Sequence, residues 1–374
     1  MNVEWLAEDE KNTLGHTTKL TLESKTILSP HHAITYKDYE AVSNTGRLGE
    51  LKDSNIVVAG ELLSHQAFEG VGSNSIITDA LFSRMKNRMI KDKVNILHTR
   101  IPESYKIGNV IKPVDKVSEL QTSALVGIQI DANASAVIPP LNAGISSFPA
   151  FKTVYDRTKI EIQTSKSKDI IGYIPTTIEL GVVWKIVEAY IKDDVRFFAV
   201  DFAGSPLNRA LIRSVVSAIR NNLKIKGKVK EDADKQYYLH VFDVASSKKS
   251  SLAISPITDI LTHSYSVDST SSVVWGGGKL EKEKLRYYNT KDYGAYRIGN
   301  LTTINEKLIS GSASEAYEKL RADKLIEYKK ECTNISDVIS GNLLDYSSYL
   351  STKTIAQSDV KNALLDIKEI KANS

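Results

Sequence analysis

Short apolar runs of the length typical of β-strands recur along this chain, separated by polar or helix-like segments. Several runs, such as 55–60 and 196–201, are continuous rather than alternating, which is typical of strands covered on both faces in a parallel sheet. The predicted strands are 26–30, 55–60, 75–78, 124–130, 169–174, 196–201, 237–244 and the segment around Tyr265.

Amphipathic segments lie between the predicted strands. In 177–192 and 208–223 apolar residues recur every three or four positions, which predicts helices. Eight strands alternating with helices predict an α/β fold, specifically a (β/α)8 TIM barrel. We place this barrel at 25–278, after a polar N-terminal segment at 1–24. Residues 86–120 are predicted to be an irregular basic insertion in the barrel.

The pattern changes after Trp275-Gly276-Gly277-Gly278, which interrupts the regular alternation. Residues 279–374 are first rich in tyrosine and lysine and then helical in pattern, so we predict a C-terminal helical extension of the barrel. The tyrosines could stack on nucleic-acid bases, but packing of the extension onto the barrel is the interpretation that we prefer.

The composition is that of a folded protein. Of the 374 residues, 41% are hydrophobic and 25% are charged, which allows a sizeable core. No apolar stretch reaches the roughly 18 residues of a membrane span, and the N-terminus lacks the basic and apolar parts of a signal peptide. We therefore expect a cytoplasmic protein without a membrane partner.

Charge and cysteine content limit the partners and cofactors. The formal net charge of +4 is mildly basic and compatible with a nucleic-acid partner. The single cysteine, Cys332, excludes an intrachain disulfide and a cysteine-rich zinc site. The seven histidines show no paired ligand spacing, and no Gly-x-Gly-x-x-Gly follows a predicted strand. We therefore expect no metal and no cofactor.

Three aspartates each close a predicted strand: Asp79, Asp131 and Asp268. In an α/β barrel, a carboxylate at the end of a strand faces the pocket. Two such groups suit chemistry at a sugar C1 atom, where one attacks and the other protonates the leaving group. Each aspartate could instead cap a helix. Asp201 and Asp243 also end predicted strands; they could cap helices or replace a lost pocket residue, and we prefer the capping role.

The order of these motifs resembles that of the tRNA-guanine transglycosylases, over about residues 20–275. That family has a strand ending in Leu-Thr-Asp, a later strand ending in Phe-Asp-Glu after a helix with Pro and Gln, and a Val-Asp-Met-Phe-Asp segment. The corresponding residues here are Ile77-Thr78-Asp79, then Pro113, Gln121 and Ile130-Asp131, then Ser264-Tyr265-Ser266-Val267-Asp268.

The resemblance implies a role for each aspartate. Asp268 would be the nucleophile at C1′, Asp79 the general acid and base, and Asp131 the residue that holds the Watson–Crick edge of the purine. Substrate-binding glycines of the family correspond to Gly172 and Gly204. The base-recognising Gln of the family is missing, since the strand after Gly172 continues Tyr-Ile-Pro-Thr.

The resemblance also implies a reaction, the exchange of a guanine in a nucleic acid for a 7-deazaguanine base through a covalent aspartyl intermediate. The zinc site that supports tRNA docking in the family is absent, so DNA is favoured over tRNA, in a DNA-modification or antiphage system. A homodimer or a partner protein from a 7-deazaguanine pathway is left open. The alternatives are a non-catalytic paralogue that acts as a binding subunit, a protein-modifying relative and a nucleoside-hydrolysing relative.

Overall fold

The centre of the computed structural model is a parallel sheet of seven strands that curls into a half-barrel. The structure describes residues 1–9, 12–51, 55–143, 145, 147–165, 168–225, 232–245, 252–271, 281–300, 309–341 and 345–373. The strands are β1 (Asn2–Glu8), β2 (His16–Leu22), β3 (Lys25–Leu28), β4 (His31–Thr35), β5 (Ile56–Leu62), β6 (Val94–Arg100), β7 (Ser104–Ile107), β8 (Val110–Pro113), β9 (Ile171–Ile174), β10 (Phe197–Asp201), β11 (Tyr238–Phe242), β12 (Ile254–Pro256), β13 (Ser269–Ser271), β14 (Arg286–Asn289) and β15 (Gly294–Arg297). The order in the central sheet is β6-β5-β4-β13-β11-β10-β9, and every neighbouring pair is parallel.

Helices connect these strands and lie outside the curved sheet. They are α1 (Tyr36–Asn44), α2 (His65–Gly70), α3 (Ser75–Lys86), α4 (Glu119–Asp131), α5 (Phe148–Thr164), α6 (Leu180–Lys192), α7 (Arg209–Asn222), α8 (Ala313–Gly341), α9 (Tyr346–Ser351) and α10 (Gln357–Asn373). Local sequence starts several of them. Thr35 with Asp38 and Ser118 with Gln121 form capping boxes at α1 and α4, which satisfy the first free N–H groups of each helix.

The continuous apolar strands are buried on both faces. In β5, Ile56, Val57, Val58 and Ala59 are all fully buried. Alternate side chains fill the interior of the curved sheet, and the others pack against the helices. At about 25 cal/mol per Å² of apolar surface removed from water, this double burial is a main source of stability for the fold.

Residues 136–137 lie between the two edge strands of the sheet. Ala136 forms a parallel bridge with Ile96 of β6, and Val137 forms one with Ile170, next to β9. The N–H of Val137 donates to the carbonyl of Asp169 at 2.9 Å, and the carbonyl of Val137 accepts from Ile171 at 2.9 Å. The segment therefore contacts both edges of the seven-stranded sheet.

A separate antiparallel sheet, β1-β2-β3, packs at the amino ends of the parallel strands. Trp5, Leu20 and Ile27 from this sheet belong to the main hydrophobic core. The indole Nε1 of Trp5 donates to the carbonyl of Tyr237, just before β11, at 2.9 Å. The predicted boundary between residues 24 and 25 falls in the turn between β2 and β3.

The chain after β13 forms a smaller layer on the same side as α1. Helix α8 packs against α1 and β4, where Ala322 and Leu325 join Ile34 and Val42 in one cluster. Strands β12, β15 and β14 form a three-stranded sheet, which packs with α8, α9 and α10 around a second apolar cluster. Helix α8 thus packs directly on the parallel sheet, whereas the sequence predicted that it belongs to a C-terminal extension.

The α/β prediction is confirmed, and the strands predicted at 55–60, 169–174, 196–201 and 237–244 are present. The strands predicted at 75–78 and 124–130 are wrong, because these runs lie in α3 and α4. A short continuous apolar run fits a buried helix as well as a strand, and the apolar run of α4 is largely buried, with Leu125, Val126, Ile128 and Ile130 in the core.

Other parts of the prediction also differ from the structure. The run 26–30 overlaps β3, which belongs to the antiparallel sheet, and the segment around Tyr265 is a 3₁₀ helix, Ile260–Tyr265. The stretch 86–120, predicted to be irregular, contains β6 and the β7–β8 hairpin. Within the described ranges, no helix is both long enough and apolar enough to cross a membrane.

Candidate active site at the carboxyl edge of the sheet

The structure separates the three aspartates that the sequence singled out. Asp79 is exposed in the second turn of α3, and Asp131 is the exposed last residue of α4. Asp268 is fully buried and directly precedes β13, at the amino end of the sheet. The predicted grouping of three strand-end carboxylates is therefore wrong, because two of the strands are helices and the third carboxylate lies at the opposite end of its strand.

Asp268 is held by three hydrogen bonds. Its Oδ1 accepts from Nε2 of His16 at 2.8 Å and from Oγ of Ser29 at 2.9 Å, and its Oδ2 accepts from the N–H of Leu239 at 2.8 Å. The donors come from β2, from the turn after β3 and from β11. Since both oxygens are engaged and the residue is fully buried, this carboxylate fastens the N-terminal sheet to the amino end of the parallel sheet.

The two predicted substrate-binding glycines have different environments. Gly172 lies in β9 and faces the helix layer, where an added Cβ would come within 3.0 Å of the rings of Tyr190 and Phe198. Gly204 follows β10 with a φ of +74°, and its N–H donates to the carbonyl of Asp243 at 2.7 Å. Gly204 is therefore at the carboxyl edge of the sheet, whereas Gly172 serves close helix–strand packing.

Polar side chains from three strands meet at this carboxyl edge. Asp201, the fully buried last residue of β10, accepts from the hydroxyl of Tyr173 at 3.0 Å and from the N–H of Ala203 at 2.7 Å. The Nε of Arg100, the last residue of β6, lies 3.5 Å from the same carboxylate. Burial, reinforced by the Asp201 carboxylate, raises the pKa of Tyr173 well above its usual value. The phenol therefore stays protonated and donates to Asp201.

A second carboxylate follows the neighbouring strand. Asp243 comes directly after β11 and is fully buried. It adopts a φ of +51°, and Ala203 after β10 adopts a φ of +55°. Such left-handed backbone costs about 1–3 kcal/mol at a non-glycine residue and is concentrated at functional sites. Both Asp201 and Asp243 add to the raised pKa of Tyr173, so the two carboxylates act on one phenol.

Neutral imidazoles line the interior beneath this edge. The ring of His98 stacks on Phe242 with centroids 4.4 Å apart, and burial lowers the pKa of His98 to about 4, against an opposing effect of Asp201. His240 Nδ1 shares a hydrogen bond of 2.7 Å with Oγ of Ser269, and burial lowers the pKa of His240 to about 3. Near neutral pH both rings are uncharged, so each has one donor and one acceptor nitrogen.

Two buried polar atoms, one in the interior of the sheet and one at its carboxyl edge, have no hydrogen-bond partner among the described residues. They are Nε2 of His240 and Oγ of Ser271, and both residues are fully buried. Ser271 ends β13, and Ser269 two residues earlier shares its face of the sheet. An unsatisfied buried polar atom costs about 1–3 kcal/mol, so a ligand with polar atoms at this edge would bind here favourably.

The sequence contained part of this site. Asp201 and Asp243 end strands that the apolar pattern predicts, although we preferred a capping role for them. Arg100 and His98 were missed because β6 was not recognised as a strand. Ser271 was missed because β13 has only three residues, all of them Ser or Thr.

The chemistry that these groups support is proton transfer and stabilisation of positive charge. In the part of the chain that is described, no group of three or more His, Cys, Asp or Glu side chains is placed to hold a metal ion. Comparison of the chain with protein-family models and with curated protein sequences gave no match. The resemblance to the tRNA-guanine transglycosylases therefore stays a prediction.

Proposed function

We propose that this chain is a base-exchange enzyme of the transglycosylase type whose carboxylates are Asp201 and Asp243. The observation that carries the proposal is the burial of these two groups after adjacent parallel strands, at the carboxyl edge, beside Arg100 and Tyr173. Active sites of α/β barrels are built at this edge from residues of several strands. The roles that the resemblance implies for Asp268 and Asp79 thus pass to other residues.

The proposed fold is a closed (β/α)8 barrel, with residues 136–137 as its short fourth strand. The bridges to Ile96 and Ile170 support closure, because they join the two edges of the parallel sheet. The strand order around such a barrel would follow the order in the chain. Closure would bring Arg100 and Asp201, which come from β6 and β10, to opposite sides of one mouth, in keeping with their 3.5 Å contact.

In the proposed reaction, Asp201 attacks the sugar C1′ and Asp243 transfers the proton. Tyr173, Arg100 and the N–H of Ala203 orient the Asp201 carboxylate. As the C1′–O bond to Asp201 forms, the C1′–N9 bond to guanine breaks, and Asp243 gives its proton to the departing base. The incoming 7-deazaguanine then returns a proton to Asp243 as it attacks C1′ and releases the ester.

The proposed substrate is a nucleic acid, with DNA preferred to tRNA. Chemistry at C1′ requires that the target nucleotide leave its stack or lie in a single strand. The mildly basic net charge of +4 is compatible with such a polyanion. The cytoplasm is the proposed location.

A binding subunit without catalytic activity is the second candidate. It is favoured by the engagement of both Asp201 oxygens with groups of the protein itself, which is also how a structural ion network is arranged. A subunit of this kind would keep nucleic-acid or partner binding and would form no covalent intermediate.

The test is incorporation of labelled guanine or 7-deazaguanine into DNA and into tRNA, with Asp201→Asn and Asp243→Asn as the variants. We expect each to lower incorporation at least about 100-fold, since each removes a reacting carboxylate or its proton. Asp79→Asn and Asp131→Asn are matched controls, because both carboxylates are exposed on outer helices. Mass spectrometry of the quenched wild-type reaction should show an adduct on the peptide that contains Asp201.

Incorporation that survives both Asp201→Asn and Asp243→Asn would refute the assignment of the site. Loss of incorporation in Asp79→Asn instead would restore the role that the resemblance implies. Nucleic-acid binding by the wild-type protein without incorporation into either polymer would establish the binding subunit.

A further inference from the structure

The β7–β8 hairpin is firmly anchored at the carboxyl edge. It begins four residues after Arg100, and the buried ring of Tyr105 packs on His65 and Phe68, with centroids 5.2 and 5.9 Å away. Below the hairpin, the N–H of Val114 donates to the carbonyl of Glu103 at 2.7 Å. The root of the hairpin is thus held in place next to the candidate site.

The tip of the hairpin is apolar and exposed. Ile107, Val110 and Ile111 are 45%, 65% and 69% exposed, around a turn in which Gly108 has a φ of +59°. Within the described residues, the two strands pair with each other only. A two-stranded hairpin gains little stability by itself, so three large exposed apolar side chains at its tip do not serve the fold.

The charge of the hairpin is positive. Between Ser104 and Pro113 the only charged side chains are Lys106 and Lys112. Lys112 is paired with Glu69 at 3.0 Å, whereas Lys106 is exposed on the same strand as Ile107. The hairpin thus places one exposed cation, Lys106, beside its apolar tip, which suits a nucleic-acid duplex with phosphates outside and stacked bases inside.

Other exposed apolar side chains lie at the same edge of the sheet. Leu62 ends β5, Ile76 lies in the first turn of α3 and Leu120 lies in the first turn of α4, and all three are exposed. Helices that follow parallel strands begin at the carboxyl edge, so these residues lie on the same side of the sheet as the hairpin. The exposed apolar residues and the candidate site therefore lie at the same edge of the sheet.

We propose that the β7–β8 hairpin is a wedge that enters a nucleic-acid duplex and keeps it open while the target nucleotide occupies the carboxyl-edge site. This inference rests on the proposed function and adds how the substrate is opened. Proteins that deform duplexes insert Ile, Leu, Phe, Met or Pro side chains between base steps, and the cost of unstacking is offset by contacts with the opened duplex. Lys106 would contact a phosphate beside the inserted tip.

The test compares Ile107→Ser/Val110→Ser/Ile111→Ser with the wild-type protein, using a DNA duplex that carries 2-aminopurine beside the target guanine. We expect the variant to bind the intact duplex about tenfold more weakly and to lose the rise in 2-aminopurine fluorescence. Its affinity for the same sequence as a single strand should stay within about twofold. The control is Ile160→Ser/Leu365→Ser, which removes exposed apolar side chains from α5 and α10, away from this edge.

Two further measurements separate this inference from the proposed function. Lys106→Ala should lower the slope of log affinity against log salt by about one. Neither duplex binding nor the fluorescence change requires base exchange. Duplex opening that depends on the hairpin, without incorporation of a base, would therefore support the wedge and refute the proposed enzymatic activity. Unchanged duplex binding by the triple variant would overturn the wedge, and base exchange on single strands by the same variant would leave the proposed function intact. Loss of a dimer in the triple variant, measured by sedimentation, would assign the tip to a second copy of this chain and also overturn the wedge.

Discussion

Replacing Asp268 by alanine should destabilise the fold rather than remove a nucleophile. The substitution leaves His16 Nε2, Ser29 Oγ and the N–H of Leu239 without their common acceptor, in a place that is fully buried. Each hydrogen bond to a charged group contributes about 1.5–3 kcal/mol, but the three share one carboxylate and do not add. We expect a loss of about 3–5 kcal/mol, because three buried donors lose their acceptor at once and each unsatisfied group costs about 1–3 kcal/mol.

The assay is urea unfolding followed by tryptophan fluorescence, because Trp5 stacks on His16 with centroids 3.6 Å apart and reports on this end of the molecule. Asp268→Asn should lose less, about 1–3 kcal/mol, since one oxygen acceptor remains. Asp79→Ala, on the exposed face of α3, should stay within about 0.5 kcal/mol of the wild type. Combining Asp268→Ala with His16→Ala should cost less than the sum of the two single changes.

An Asp268→Ala protein that unfolds within about 1 kcal/mol of the wild type, and yet loses base exchange, would refute this reasoning. That combination would mean that the carboxylate acts on substrate and contributes little to the fold. Loss of stability with exchange retained under native conditions would support the structural role.

Three other changes test the rest of the structure. Lys353→Met should lower the free energy of unfolding in urea by about 3–5 kcal/mol, because the ammonium group lies 2.9 Å from the buried carboxylate of Glu331, which then loses its cation. The double variant Lys353→Met/Glu331→Gln should recover part of this loss. The free energy of unfolding should fall as the pH falls from about 6.5 towards 4, because burial lowers the pKa of His98 to about 4 and of His240 to about 3, and the unfolded chain then binds protons that the folded chain does not. His98→Phe should reduce this pH dependence when unfolding is measured at pH 5, 6 and 7. An unchanged pH dependence in His98→Phe would contradict the prediction. The free energy of unfolding of Ser271→Ala should stay within about 1 kcal/mol of the wild type, since the Oγ of Ser271 has no partner among the described residues. The same variant should bind a free 7-deazaguanine more weakly in calorimetry. Equal binding would show that Ser271 does not belong to the site.

The local pattern was sufficient to predict a strand where burial on both faces requires a continuous run of apolar residues. Strands β9, β10 and β11 are recognisable in this way, together with Asp201 at the end of β10 and Asp243 after β11, whereas helices α6 and α7 are recognisable from their amphipathic repeat. The pattern failed for β4 and β6, because His, Thr, Asn and Arg interrupt the apolar run in these strands, and some of them contact residues far away in the chain. His32, for example, bonds to Thr270, and Arg100 contacts Asp201.

The sequence by itself determined that parallel strands alternate with helices and that Asp201 and Asp243 end two of those strands. Only the tertiary structure decided which end of β13 Asp268 occupies, and that the runs around Asp79 and Asp131 are helices. The physical reason is that an apolar run records how much of a segment is buried, not what buries it or in which direction. Those two properties depend on pairing between residues far apart in the chain, such as Asp268 with His16 and Ala136 with Ile96.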